Sequence, residues 1–393
     1  MKMFLLITAT ILAVIIGLIL ISVGFLLNEN ARRKVRFAIF LIDILFIAVF
    51  VIGFMQRNLF SDTAIEIFGS IMTIIFMSQI ICAVLVLIAV VIRSIYRFFN
   101  KPVPFSRQRR QMLAYSLFYP VYSVATAVYS NQIERNDTVD NFYDIPVKNL
   151  PADLNNFKIA QISDVHLGAF FSLERLEKLL IRIAEAKPDV LTITGDIFDN
   201  VDMNPDAIKL VDSFCDKFKY GIWYCHGNHE HHRGVKAIEQ GLSQTKIHWL
   251  VNRSEALFQG STLYFVGVDY PMHSPVTQSR DEHEQQVFKN YKHDYLTQAM
   301  ADVPGDAVCI LLAHHPEFID DAVEFKIPLT LTGHTHGSQI GIFGVPLFPI
   351  FKYTRGMFIH EDCYGYVHVG NGSWFPMRLG CPPEVAYFTL KNK

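Results

Sequence analysis

Cysteine is scarce and scattered. The six cysteines are spread over 393 residues and none stands in a Cys-x-x-Cys pair, which excludes a thiolate zinc site. Cys82 lies in an apolar stretch. The other five, Cys215, Cys225, Cys309, Cys363 and Cys381, are an odd number and cannot close into a full disulfide framework. Charge is sparse too. Only 18% of residues are charged, the formal net charge is −2, and no basic stripe breaks the pattern. No nucleic-acid partner is therefore expected. No internal repeat or low-complexity segment stands out. Histidine is missing from the first 130 residues, and all 15 follow them. The apolar excess behind the 51% hydrophobic share is concentrated in that same histidine-free part. Two unlike halves result: a membrane region of three to four helices over 1–130, a linker and entering edge strand over 131–154, and one globular domain over 155–393.

The first half is rich in long runs without charge. Met3 to Leu27 has no charged residue and is long enough to cross a ~30 Å hydrocarbon core at ~1.5 Å per residue. Lys2 before it also fits a signal peptide, but no small-residue cleavage site follows and further apolar runs do. Phe37–Met55 and Phe68–Ile92 read as the second and third spans. Met112–Tyr129 is a weaker fourth, interrupted by Tyr115, Pro120 and Tyr122, with an interfacial helix as its alternative. Arg32, Arg33, Lys34 and Arg36 fill the first loop; Arg93, Arg97, Lys101, Arg107, Arg109 and Arg110 fill the third. The positive-inside rule puts both loops in the cytoplasm. If 112–129 spans, the chain is a multi-pass cell-membrane protein with its C-terminal domain outside; otherwise that domain faces the cytosol. Asp43 and Glu66 fall at opposite faces in this topology, so no ion pathway is read, and a transporter would need polar midplane residues or broken helices.

Beyond the linker, short apolar runs alternate with amphipathic helices. Lys158–Ile162, Val190–Thr194, Ile222–Cys225, Leu263–Val268, Val308–Ala313, Leu329–Thr332, Tyr366–Val369 and Val385–Leu390 read as strands. Leu173–Ala186, with Ser172 as N-cap and Pro188 beyond its end, and Asp206–Phe218 read as helices. This is an α/β pattern of sheets layered between helices.

The chemistry follows the strands. Ser163-Asp164-Val165-His166 comes after the first, Gly195-Asp196-Ile197-Phe198-Asp199 after the second, and Gly227-Asn228-His229-Glu230 after the third. Asp164, Asp196 and Asn228 recur at intervals of 32 positions, the length of one strand-helix-strand step. His314-His315-Pro316 and Gly333-His334-Thr335-His336-Gly337 complete the set. Carboxylate, imidazole and amide oxygen make a hard-to-borderline donor set suited to Mn, Fe or Zn.

In these blocks the chain resembles the calcineurin-like metallophosphoesterases, in their bacterial branch with an N-terminal membrane segment. D-x-H, G-D, G-N-H-[DE], a lone His after an apolar strand and G-H-x-H all occur in order, and the Trp374–Glu384 stretch resembles that branch's ending. The resemblance covers Phe157 to the C-terminus. It implies a layered α/β/β/α sandwich and a binuclear centre with two divalent ions per subunit. Asp164, His166 and His336 then hold one ion, Asn228, His314 and His334 the other, and Asp196 bridges them. A hydroxide activated between two such ions would cleave a phosphoester or pyrophosphate bond by in-line displacement. His229 matches the residue that protonates the leaving oxygen, and Asp199 the carboxylate that orients it. Ser338 and the Asp269-Tyr270 pair depart from the branch pattern. Neither departure is expected to touch a ligand.

The remaining histidines read more plainly. His315 is expected to line the pocket or orient His314; His231, His232, His273, His283 and His293 are expected on solvated loops, and His360 and His368 are unremarkable. A membrane sensor or scaffold with an idle hydrolase domain is the competing function, but such a chain should lack a ligand or the proton donor. The expected substrate carries phosphate at the bilayer surface, with a lipid-linked compound fitting the tether. Phe170-Phe171 and the loop Ile340–Phe351 place apolar residues beside the motifs, with Lys352 and Arg355 next to them for lipid phosphates.

Overall fold

The computed structural model describes residues 15–25, 27, 29–55, 61–99, 118–272 and 282–393. It divides into two compact units, one of Met1–Ile133 with Phe375–Met377, the other of Glu134–Trp374 with Arg378–Lys393.

The first unit is helical: α1 (Ile15–Phe25), α2 (Glu29–Met55), α3 (Asp62–Phe99) and α4 (118–128). Among the described residues, α3 alone is long and apolar enough to cross a membrane by length and composition. Two expectations change. Arg32, Arg33, Lys34 and Arg36 lie on the first turns of α2, and Arg93 and Arg97 on the last turns of α3, rather than in loops. No glycine or proline intervenes to stop either helix there, so both run on past their apolar stretches. Residues 3–14 of the first apolar run, the loop residues 57–60 and 101–110, positions 112–117 and His273 lie outside the described residues.

Among the described residues, the second unit carries fourteen strands. In chain order they are β1 (Val139–Val147), β2 (Lys158–Ile162), β3 (Val190–Thr194), β4 (Ile222–Cys225), β5 (His248–Trp249), β6 (Arg253–Ala256) and β7 (Leu263–Gly267). Then come β8 (Val308–Leu312), β9 (Leu329–Thr332), β10 (Gly341–Ile342), β11 (Val345–Pro346), β12 (Gly356–His360), β13 (Cys363–Val367) and β14 (Glu384–Asn392). One six-stranded sheet runs β1-β14-β2-β3-β4-β5, the other β12-β13-β9-β8-β7-β6; β10 and β11 form a separate hairpin. In the first, β2 to β5 are parallel, and the entering strand β1 lies at the edge beside β14. In the second, β7, β8, β9 and β13 are parallel.

Strand alternation builds the layers. In β4, Trp223 and Cys225 turn inward against Phe265, Ile310 and Leu331 of the other sheet, while Ile222 and Tyr224 turn outward. The outer face of the first sheet is covered by α5 (Leu173–Glu185), α6 (Asn204–Ser213) and α8 (Val235–Leu242), through Leu176, Leu180, Val211 and Ile238. The outer face of the second is covered by α9 (Glu282–Met300) and α10 (Phe318–Glu324), through Leu296, Ala299, Phe318 and Ala322. The fold is an α/β/β/α sandwich.

Local signals hold where they were specific. Ser172 caps α5 by accepting the Arg175 N–H at 3.3 Å, worth about 1 kcal/mol. The second helix begins earlier than expected, at Asn204, and ends at Ser213. A 3₁₀ turn over Cys215–Lys217 takes the place of its last residues. Strand β13 starts three residues before the expected Tyr366, because its pairing with β12 reaches back to Cys363.

Candidate metal centre

Strands β2, β3 and β4 of one sheet and β8 and β9 of the other end at the motifs. Asp164, His166, Asp196, His334 and His336 take left-handed backbone, with φ of 52°, 50°, 55°, 75° and 50°. That conformation costs a residue with a Cβ about 1–2 kcal/mol, and it swings each side chain off the strand axis. Glycine then lets the loops close on one another. A Cβ on Gly227 would stand 2.1 Å from Asp196 Oδ1, and one on Gly333 would stand 2.0 Å from Ser163 Oγ. Only glycine fits at either place.

A buried carboxylate fastens two of these loops. Glu230 accepts the N–H groups of Asp196 at 2.9 Å, Ile197 at 2.9 Å, Phe198 at 3.0 Å and Gly227 at 2.8 Å. The charge is thereby met entirely by backbone dipoles.

The donor atoms converge in two groups. In one, His166 Nε2 faces His336 Nε2 at 2.9 Å, and Asp164 Oδ1 lies 3.4 Å from His336 Nε2. In the other, His334 Nδ1 faces His314 Nε2 at 3.1 Å, and Asp196 Oδ2 lies 3.1 Å from the same His314 atom. Asp196 Oδ2 is also 3.6 Å from His166 Nε2, so this carboxylate stands between the groups. The tautomers follow from the outer partners. His166 Nδ1 meets Asp199 Oδ2 at 3.1 Å and His314 Nδ1 meets the Thr194 carbonyl at 2.7 Å. Each Nδ1 therefore carries the proton, and each Nε2 lone pair points inward, as a ligand's must. Asn228 Oδ1 is buried without a hydrogen-bond partner. Opposed lone pairs and an orphaned amide oxygen fit divalent cations and little else.

The electrostatics agree. Burial weakens His314 as a base, yet Asp196 and Asp164 outweigh it and push its pKa up to about 10. Burial and the neighbouring His314 push His334 down to about 3. The centre holds positive charge strongly, and a single proton cannot satisfy both imidazoles.

Asp199 serves three partners. Besides His166 it lies 2.8 Å from His229 Nδ1 and accepts the Arg233 Nε–H at 2.8 Å. Burial favours its neutral form, but hydrogen bonds from His166 and His229 prevail and hold its pKa well below the usual range. Burial likewise disfavours protonated His229. The bond to Asp199 and the field of Asp196 overcome that and raise its pKa.

Three expectations need correction. Tyr270 does touch an expected ligand: its hydroxyl is 3.4 Å from His334 Nε2 and its ring lies 5.3 Å from the His334 ring. His231 is on the short helix α7 (Asn228–His232), half-buried and 2.8 Å from Asp269, and His283 and His293 are exposed on α9 rather than on loops. Lys352 is occupied by Asp320, at 2.8 Å and 2.9 Å. His315 is fully buried among Tyr270, His334 and Phe351 and joins neither donor group. Sequence reasoning passed over Glu230, although its burial inside a G-N-H-E block was the available signal.

Residues 157–338 match the calcineurin-like phosphoesterase family. The chain is 30% identical to an uncharacterized metallophosphoesterase of Bacillus subtilis, YkuE, over 62% of this chain and 82% of that one. It is 31% identical to an uncharacterized metallophosphoesterase of Aquifex aeolicus, over 64% of this chain and 91% of the relative. A Danio rerio transmembrane protein with a metallophosphoesterase domain is 26% identical over 63% of this chain, a match spanning 56% of that protein's length. The chain belongs to the calcineurin-like metallophosphoesterases. It is a metal-dependent phosphoric ester hydrolase.

Glu230→Gln tests the backbone anchor. Either amide orientation turns an NH₂ group toward two buried N–H donors, each costing about 1–3 kcal/mol. Urea denaturation should show a loss of about 3 kcal/mol or more; an unchanged midpoint would mean the loops hold without the carboxylate.

Proposed function

We propose that this protein is a membrane-held phosphohydrolase with a binuclear centre, acting on a phosphoester or pyrophosphate presented at a lipid surface. The observation that carries the reading is the convergence of paired imidazoles and carboxylates beside an exposed apolar hairpin. Asp164, His166 and His336 would hold one ion, Asn228, His314 and His334 the other, with Asp196 shared; Mn, Fe and Zn suit these donors. Such ions, when bound, supply Lewis acidity and a hydroxide at neutral pH. His229, 27% exposed at its side chain, is positioned to give a proton to the departing oxygen, and Asp199 fixes its Nδ1–H tautomer so that Nε2 is the working atom. Arg233 holds Asp199 in place through a contact of 2.8 Å.

Two features favour a lipid-linked substrate. α3 has the length and composition of a membrane span, and the hairpin β10–β11 with the residues just after it presents Ile342, Phe343, Val345, Leu347, Phe348 and Ile350 to solvent, with Phe343 wholly exposed. Phe351, just beyond, packs edge-on against His334 with ring centroids 5.0 Å apart. Apolar surface thus runs from the hairpin to the donor atoms. The basic residues around α2 and after α3 favour the cytoplasm for those segments, and a further span over 112–129 would then carry the hydrolase domain outside.

Asn228→Ala should lose nearly all turnover of a chromogenic phosphate ester, as should chelator-treated protein; full turnover in either would overturn the binuclear reading. His229→Ala should lose roughly 10²–10⁴-fold on an alkyl phosphate and far less on a nitrophenyl phosphate, whose leaving group needs no proton. Equal losses on both, or lost metal, would rule out proton donation.

The triple variant Phe343→Ser, Val345→Ser, Phe348→Ser alters only exposed side chains. It should cut hydrolysis of phospholipid in liposomes about tenfold or more, since burying one such side chain in a bilayer contributes on the order of 1.5–3 kcal/mol. Hydrolysis of a small soluble ester should stay level. Parallel loss of both activities would make the hairpin structural, and no loss at all would remove the lipid-surface reading.

Orientation is checked separately. An alkaline phosphatase fusion after Asn136 should be active and one at Arg109 inactive, and the reverse pattern would place the hydrolase in the cytosol.

A further inference from the structure

A second cluster of donors lies beside the centre and shares none of its residues. His226 follows β4 directly, His231 is on α7, and Asp269 stands two residues past β7. One donor atom from each lies within 4.8 Å of the others. His231 Nε2 is 2.8 Å and His226 Nδ1 is 3.5 Å from Asp269 Oδ1. These separations bracket the edge of a tetrahedron whose metal–ligand bonds are ~2.0–2.1 Å, an edge of about 3.3 Å. The two rings stand at 90°, with centroids 5.8 Å apart, so they approach Asp269 from different sides.

His226 is the informative member. It is fully buried; its Nε2 has no hydrogen-bond partner, and its Nδ1 has only the long approach to Asp269 at 3.5 Å. Its neighbours are aromatic: Tyr224 meets it edge-on at 5.6 Å and Trp249 lies parallel at 6.2 Å. A purely structural residue there would be better as Phe or Leu, because a buried imidazole with so few partners costs free energy that an apolar ring does not.

We propose that His226, His231 and Asp269 bind a third divalent cation of the zinc class, separate from the binuclear pair. Two imidazoles and one carboxylate are a common three-ligand set for that metal, with a fourth position left to water. The site has a mechanical consequence. β4 belongs to one sheet and β7 to the other, so the cation ties the carboxyl ends of both sheets together. It also anchors α7, the short helix that carries Asn228 and His229. The third ion is therefore a positioning element for a ligand and for the proton donor.

Full-length protein in detergent, stripped and reloaded with zinc, would be dialysed and its zinc content measured. His226→Gln and His231→Gln should each hold one zinc fewer per chain than the unaltered protein. The double variant Asp164→Ala, His334→Ala, which removes a ligand from each ion of the centre, should keep that zinc and, reloaded with cobalt instead, show the intense visible absorption of a four-coordinate ion. Equal zinc in the unaltered protein and in both glutamine variants would overturn the proposal. So would a centre-disrupted double variant that stays folded by circular dichroism yet binds no cobalt. Because the double variant removes only binuclear ligands, failure of the binuclear reading and failure of this one give different patterns. Two glutamine variants at different elements are used so that misfolding of one leaves the other to decide.

Discussion

Left-handed backbone at five donor residues is the constraint around which this domain is arranged. A strand end in ordinary extended geometry points successive side chains to opposite faces, so two donors two residues apart would share a direction but lie too far along the chain. Turning Asp164 and His166, or His334 and His336, into positive φ brings both to one point. At about 1–2 kcal/mol per residue, five such positions cost roughly 5–10 kcal/mol, comparable to the net stability of a typical domain. Several features offset this. The four N–H groups on Glu230 fix the Asp196 and Gly227 loops, the His334 N–H bonds Asp164 at 3.0 Å, and the inter-sheet core holds the strand ends rigid. Ions that bind only the folded chain would add their own binding free energy.

The same crowding explains the charge balance. Carboxylates of Asp164 and Asp196 sit among four imidazoles, nearly all out of water. One proton can reside on His314 and gain from both carboxylates, but the field it creates then bars His334. A dication satisfies several donors at once where a proton satisfies one or two. The preference for metal over proton is thus a matter of geometry: lone pairs facing each other at 2.9 Å and 3.1 Å have no other common partner.

Much of this was legible in the residues, for definite reasons. Strands of four or five β-branched and apolar residues, each followed at once by a Gly, Asp or His block, announce buried parallel strands with ligands at their ends. That is why β2, β3, β4 and β9 fall where they were expected. Ser172 could be read because capping is local. Tyr270 could not: its contact with His334 bridges 64 positions in sequence and depends on how the two sheets stack. His231 looked like a loop residue because the turn of helix it occupies is only five residues long. The far ends of α2 and α3 were misjudged because charge marks where a membrane span should end, while the backbone helix stops only at a breaker. α9 escaped because its polar and apolar residues give no clean amphipathic stripe.

The apolar hairpin bears on what the centre could accept. A soluble protein rarely leaves six large apolar side chains exposed within ten residues, since water penalises each of them. A charged residue at Phe343 would carry little structural cost, for this side chain is wholly exposed. The neighbouring Lys352 is held by Asp320 and so is not spread over this surface to mask it. What remains is an apolar strip with the Arg355 guanidinium beside Gly341, followed in sequence by Phe351, whose ring packs on His334. On the lipid-surface reading proposed above, a phosphate carried on an acyl or isoprenoid chain would gain at both ends, its charge at the centre and its chain along the hairpin.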